Sequence, residues 1–295
     1  MKKQIKGSLA LLTATIIWGS TFIAQSVGMD LIEPFTFQAV RNALAVPFLM
    51  LVIFLFDSNK KDYAKNWMDP TLWKAGFICG CALFLAAGLQ QIGLVYTSAG
   101  KAGFITAMYI VLVPILGLAL KRRPSPAAWV SVVIATVGLY MLSCVGVTEI
   151  NIGDLCIALC ALFFAIQITL IDKYAPTVDN LRLNCIQCLV CSVLSAVCMF
   201  IFETPDMGLI LDCWFPLCYA GILSMGVAYS LQIIGQKYLA ATPASLIMSL
   251  ESVFAALCGW AFLKETMTAF EFTGCVLVFA AVIISQLPTK VKTHD

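Results

Sequence analysis

The sequence predicts an all-α integral membrane protein, with ten transmembrane helices arranged as two inverted five-helix repeats. Three observations carry that expectation: an apolar composition, the spacing of the apolar runs, and an internal similarity at a shift of 142 residues. Hydrophobic residues make up 61% of the 295 positions and charged residues 12%, against about 45–50% and about 25% in soluble domains. The charges collect between apolar runs long enough to cross roughly 30 Å of hydrocarbon, which takes about 20 helical residues. Ten such runs are read, at 7–27, 35–56, 72–95, 102–120, 127–144, 152–171, 183–202, 214–236, 243–263 and 268–287. The connections are short, so no soluble domain is expected between spans.

Taken in order, the first run follows Lys2, Lys3 and Lys6 and imitates a signal peptide. It outlasts signal-peptide length and lacks a small-x-small cleavage site, so it is read as a retained span. The second carries Arg41, the third Gln90 and Gln91. The fourth ends at "LKRRPSP", and the fifth is short. The sixth and seventh hold Gln167 and Gln187, the eighth Gln232 and Gln236 at i, i+4 spacing, and the ninth Glu251; the tenth completes the second set of five. With the N-terminus inside, fifteen of the 18 Lys and Arg fall in cytoplasmic segments and only Lys101 and Lys264 in outer loops. This asymmetry supports an even number of spans and cytoplasmic termini. The net charge of +2 belongs to that topology, and no nucleic-acid patch is expected.

The 13 cysteines lie mostly inside apolar runs, where Cys acts as a small hydrophobe. Cys185, Cys188 and Cys191 have metal-like spacing but no compensating ligand cluster. His294 is the single histidine, so His-based metal sites and Ser-His-Asp catalysis have no histidine to use. No Gly-rich phosphate loop occurs. Neither a metal, a cofactor, ATP-driven pumping within this chain nor enzymatic activity is therefore expected. Cys213, near the outer 203–213 loop, is expected to react with an impermeant thiol reagent from outside.

The repeat is carried by "GLQQIGLVYTSAGKAGFI" (88–105) against "SLQIIGQKYLAATPASLI" (230–247), which share the ordered set Gln90/Gln232, Ile92/Ile234, Gly93/Gly235 and Tyr96/Tyr238. Two copies of five spans, over residues 1–146 and 147–295, must cross the membrane in opposite directions. Such inverted repeats recur among secondary transporters, where two similar halves pack around a central site.

Three segments, "IIWGSTFIAQ" (16–25), "FQAVRNALAVPFL" (37–49) and "LESVFAALCGWAFLKETMTAFEFTGCVLVFAAVII" (250–284), resemble the EamA family of the drug/metabolite transporter superfamily. The resemblance spans essentially the whole chain. It implies transport of a small organic metabolite, amino acid or drug across the plasma membrane, and a central cavity lined by helices 1–4 and 6–9 with 5 and 10 at the periphery. The first copy departs from the pattern where Arg123 replaces Glu265.

Polar residues inside the spans are the site candidates. Glu251 has no basic residue at i±3 or i±4; an acid near mid-membrane costs about 2.5–3.5 kcal/mol and is tolerated when it faces a wet interior or finds a partner. It is read as a proton-exchanging group or a holder of a substrate cation. The competing reading is a structural hydrogen bond, for example to Gln90 or Gln232. Arg41 is read either as a handle for a substrate carboxylate or phosphate, or as a side chain snorkelling to the outer interface. Gln90 and Gln232, matched by the repeat, are the amides best placed around the centre; the others serve to join helices. Trp18 and Tyr109 are the aromatic candidates, since the resemblance puts their helices at the cavity, and Ser20 and Thr21 supply spare hydroxyls. Together these features predict alternating access by a secondary transporter, exporting a small solute with protons as a candidate coupling ion. A flippase for a lipid-linked substrate and a channel-like pathway on the same fold are the alternatives.

Overall fold

The computed structural model describes residues 2–59, 63–97, 99–122, 124–143, 151–262 and 267–286. These are helical, without a strand among them. Ten segments correspond to the ten apolar runs: α1 (Lys2–Met29), α2 (Pro34–Asp57), α3 (Pro70–Tyr96), α4 (Ala99–Ala107 continued by Tyr109–Ala119), α5 (Pro126–Ser143), α6 (Ile152–Tyr174), α7 (Asn180–Phe202), α8 (Trp214–Gln236), α9 (Ala241–Met248 continued by Leu250–Phe262) and α10 (Ala269–Gln286). Among the described residues nine are long and apolar enough to cross a membrane, and α5 is the short one. At 1.5 Å per residue its 18 residues reach about 27 Å. The Arg123/Glu265 difference and Lys264 lie outside the described residues.

Helix starts follow local chemistry. Pro occupies the first turn of α2 and α3, where its missing N–H leaves nothing unpaired. Asp69 and Asp179 cap α3 and α7, accepting from Thr71 N and Arg182 N. Asn151 and Asp154 form a capping box on α6, and Thr268 with Glu271 does the same for α10.

Three helices depart from the uniform runs that hydropathy predicts. α4 breaks at Met108 and α9 at Ser249, where three-residue turns replace the regular ladder: Val111 N donates to Met108 O at 3.0 Å and Ser252 N to Ser249 O at 3.3 Å. Pro114 removes a donor from the next turn of α4. In α9, Ser245 and Ser249 bond back to Thr242 O and Leu246 O, a contact that bends helices. α8 contains a π-helical stretch, Tyr219–Ala228.

The packing obeys an exchange of the two halves. α3 lies on α6 and α7, and correspondingly α8 lies on α1 and α2; α4 lies on α6 as α9 lies on α1; α2 packs on α7, and α5 on α10. Close approach at glycines sets the register. Gly93 meets Gly153 and Ile157, and Gly235 meets Gly7 and Leu11. The shift of 142 residues thus holds at the Gly93/Gly235 end of α3/α8, while Gly7 corresponds to Gly153 and Leu11 to Ile157 at 146. Gly138 and Gly274 face each other where α5 crosses α10; a Cβ on Gly274 would sit 2.5 Å from Gly138 O.

The α2/α7 seam is held at both ends. At one, the Glu203 carboxylate accepts from Phe35 N, Thr36 N and Thr36 Oγ1 at 2.7–2.8 Å. At the other, Arg182 Nη1 donates to Asp57 Oδ2 at 2.7 Å and lies 3.2 Å from Asp179 Oδ2, with Tyr63 and Trp67 rings beside the guanidinium. Asp57 and Glu203, like Thr36 and Arg182, are 146 positions apart, so these are equivalent ends of one seam. Cys213 is fully buried against Phe37, Leu217 and Ala220. This corrects the expectation of ready labelling: a loop-edge position in the sequence is covered by α2 and by the start of α8.

Candidate functional site

A cavity lies where the two halves meet. From α1 it receives Trp18, Phe22 and Gln25; from α2, Arg41; from α3, Gln90; and from α4, Thr106 and Tyr109. The other half contributes Phe164, Gln167 and Ile168 of α6, Ser224, Met225, Tyr229 and Gln232 of α8, and Met248 and Glu251 of α9. Five exchange pairs are present: Trp18/Phe164 and Phe22/Ile168 at the 146 shift, Gln90/Gln232, Thr106/Met248 and Tyr109/Glu251 at 142. The cavity therefore straddles the pseudo-twofold. Its free volume is about 40 Å³, room for roughly three waters at about 10–15 Å³ each.

Glu251 is 7% exposed and lies in the first turn of the second segment of α9. The hydroxyl of Tyr109 donates to its Oε1 at 3.1 Å. The acid thus finds its partner in its own symmetry mate, the residue opening the second segment of α4. Gln90 turns instead to Thr106, donating from Nε2 to Oγ1 at 3.2 Å.

Arg41 is 2% exposed and does not reach the outer interface. Its Nε donates to Gln38 Oε1 at 2.7 Å and its Nη1 to Gln25 Oε1 at 2.6 Å, with the Phe37 ring 5.4 Å away. These partners are neutral amides; among the described residues Arg41 forms no ion pair. A buried guanidinium carries five N–H donors and a full charge. Two donors are engaged here, both by neutral amides. Gln38 holds the fork from one turn away, so its direction into the cavity is built into α2 itself.

An amide chain borders the cavity. Gln232 Nε2 donates to Gln167 Oε1 at 3.2 Å and to Gln236 Oε1 at 3.1 Å, and Gln236 Nε2 to Ile168 O at 2.9 Å. Gln232 Oε1 and Trp18 Nε1 are buried without a hydrogen-bond partner. Buried polar groups normally find partners, and both of these residues belong to the cavity lining. Trp18 packs edge-on against Tyr229, centroids 5.0 Å apart.

Six sequence candidates, Glu251, Arg41, Gln90, Gln232, Trp18 and Tyr109, line this cavity; Ser20 and Thr21 do not. Ser20 Oγ sits 2.6 Å from Tyr219 Oη and donates back to Ile17 O, and Thr21 Oγ1 donates to Ile17 O. Their hydroxyls join α1 to α8 and to its own backbone. Gln25, Thr106, Phe164, Ser224 and Met225 were not singled out by sequence reasoning. Gln25 was within reach of it, since positions 18, 22 and 25 share one helical face; Ser224 and Met225 depend on the π-helical winding.

A helical membrane protein with a cavity carrying polar side chains between two exchanged halves has the build of a transporter. Residues 5–144 and 151–287 each match the EamA-like transporter family, and the chain belongs to that family. An uncharacterized transporter of Archaeoglobus fulgidus is 34% identical over 97% of this chain and 87% of its own. The uncharacterized transporter YoaV of Bacillus subtilis is 23% identical over 96% and 97%. A solved crystal structure shares the fold with a TM-score of 0.78 at 17% identity, covering 95% of this chain and 96% of the other. The protein is a multi-pass membrane transporter.

Proposed function

We propose that the chain is a secondary transporter in the plasma membrane, with both termini cytoplasmic, that exports a small organic solute carrying an anionic group, such as an amino-acid-like metabolite. The observation that carries this reading is the buried guanidinium of Arg41, which lines the cavity and forms no ion pair among the described residues. Arg41 would take the solute's carboxylate. Glu251 would hold a cationic group or exchange a proton, with Tyr109 steadying its carboxyl. Packing groups α3, α4, α6 and α7, and likewise α8, α9, α1 and α2, into two four-helix bundles that meet along the α2/α7 seam. Rocking of one on the other would expose the cavity to each side in turn, with energy drawn from an ion or solute gradient.

The test is metabolite profiling of cells with and without the protein, followed by flux of the accumulated compound in proteoliposomes. Wild type should lower the cellular level of at least one anionic or zwitterionic metabolite, and Glu251→Gln should abolish or uncouple its flux while the protein stays folded. Wild-type flux with unchanged pH dependence in Glu251→Gln would remove the acid from the mechanism.

A further inference from the structure

The glycine contacts that define the pseudo-twofold also count residues along α3 and α8. At one level, a Cβ on Gly80 would meet Val190 and Gln187 O, and a Cβ on Gly221 would meet Leu44 and Arg41 O. Val190 and Leu44 are 146 positions apart, as are Gln187 and Arg41, so Gly80 and Gly221 are equivalent. At the other level Gly93 and Gly235 are equivalent, through Gly153 and Gly7. Between the two levels α3 has 13 steps and α8 has 14. One residue of α8 therefore has no counterpart. Both ends of α8 keep their packing register, so the extra residue is wound inside the helix, and the π-helical stretch Tyr219–Ala228 is where it goes. Tyr229 N donates to Ser224 O, five residues back, as a π turn requires.

The widened turn faces the cavity. α8 sends Ser224, Met225, Tyr229 and Gln232 to its lining, whereas α3 sends Gln90 alone. A π turn also leaves carbonyls off the α-helical ladder, and buried carbonyls need donors. Asn184 of α7, fully buried, supplies them: its Nδ2 lies 2.9 Å from Met225 O, 3.2 Å from Gly226 O and 2.9 Å from Ser230 Oγ. Its Oδ1 accepts from Gln187 Nε2 at 2.8 Å, so the amide is fixed from both sides. Asn184 itself does not line the cavity.

We infer that the π turn of α8 is a one-residue insertion that sets the shape and selectivity of the transport cavity, with Asn184 as the positioning residue that holds it. Ser224, on the cavity wall inside the turn, is the residue whose removal would return α8 to the α-helical register of α3. The inference rests on the cavity being the solute site.

Deleting Ser224 tests it against deleting Leu83, in the regular part of α3. Deletion in a regular helix turns everything beyond it by about 100°, so the Leu83 deletion should yield no folded protein. The Ser224 deletion should fold, with a midpoint within about 5 °C of wild type. Purified proteins are then screened by thermal shift against the 20 amino acids and short mono- and dicarboxylates. Compounds that stabilise wild type should change apparent affinity at least tenfold, and change rank order, in the Ser224 deletion and in Asn184→Ala. In the deletion background Asn184→Ala should change little further, because no π-turn carbonyl remains to be held. A Ser224 deletion as damaging as that of Leu83, or an unchanged ligand ranking in the folded deletion, overturns the inference. If no compound shifts wild type, the reading of the cavity as a site for such solutes fails instead, and the two deletions still decide whether α8 carries an insertion.

Discussion

Asp57→Ala probes the buried end of the α2/α7 seam. Arg182 is completely buried, with Asp57 at 2.7 Å and Asp179 at 3.2 Å from the same Nη1, while its Nε and Nη2 have no hydrogen-bond partner among the described residues. Removing one partner of a buried ion pair costs about 3–5 kcal/mol, because the remaining charge stays desolvated. Asp179 is retained and the Tyr63 and Trp67 rings still flank the guanidinium, so the lower end, about 3 kcal/mol, is expected. For a chain of this size that corresponds to a midpoint lower by about 6–12 °C, readable by thermal unfolding in detergent. Asp57→Ala with Arg182→Leu should recover most of the loss, since an apolar replacement leaves no unpaired charge. A single variant as stable as wild type, or a double variant whose losses simply add, would refute the argument that burial of Arg182 makes this contact strong.

Other outcomes follow from the same geometry. Arg41→Lys keeps the charge but loses the planar fork held by Gln25 and Gln38, so apparent affinity for a carboxylate solute should fall about tenfold or more; unchanged affinity in a flux assay would take Arg41 out of the site. Gly93→Leu would drive a side chain into Gly153 and Ile157, and should prevent folding or lower the midpoint by more than 10 °C, roughly the effect of several kcal/mol. Burial pushes the Cys213 thiol up to about 11. Thiolate is the reactive form, so at pH 8 only about one part in a thousand is available; labelling should be negligible in the folded protein, rise with pH, and become fast on unfolding. Rapid labelling at pH 7 without unfolding would contradict the packing of that end of α8.

The candidate site was legible in the sequence to the extent that polar residues inside apolar runs are conspicuous. Glu251 and Arg41 stand out because their burial is costly, and Gln90 and Gln232 because the repeat pairs them. Tyr109 was visible as an aromatic on a cavity helix; that it touches Glu251, 142 positions on, was not, because residues related by an internal twofold meet only when they lie near its axis. Ser20 and Thr21 illustrate the reverse. A hydroxyl next to a cavity helix is equally able to bond its own backbone, and here both do.

By itself the sequence determined the class of architecture, since hydropathy, charge placement and span number obey the bilayer, a solvent the same for every helix. Lipid imposes length and polarity but not which face of a helix meets which neighbour. That was decided by tertiary packing: the separate shifts of 142 and 146, the breaks at Met108 and Ser249, the extra residue wound into α8, and the covering of Cys213. These depend on glycine-to-backbone approaches and side-chain-to-carbonyl bonds between segments far apart in the chain, so they become visible only when the helices are assembled.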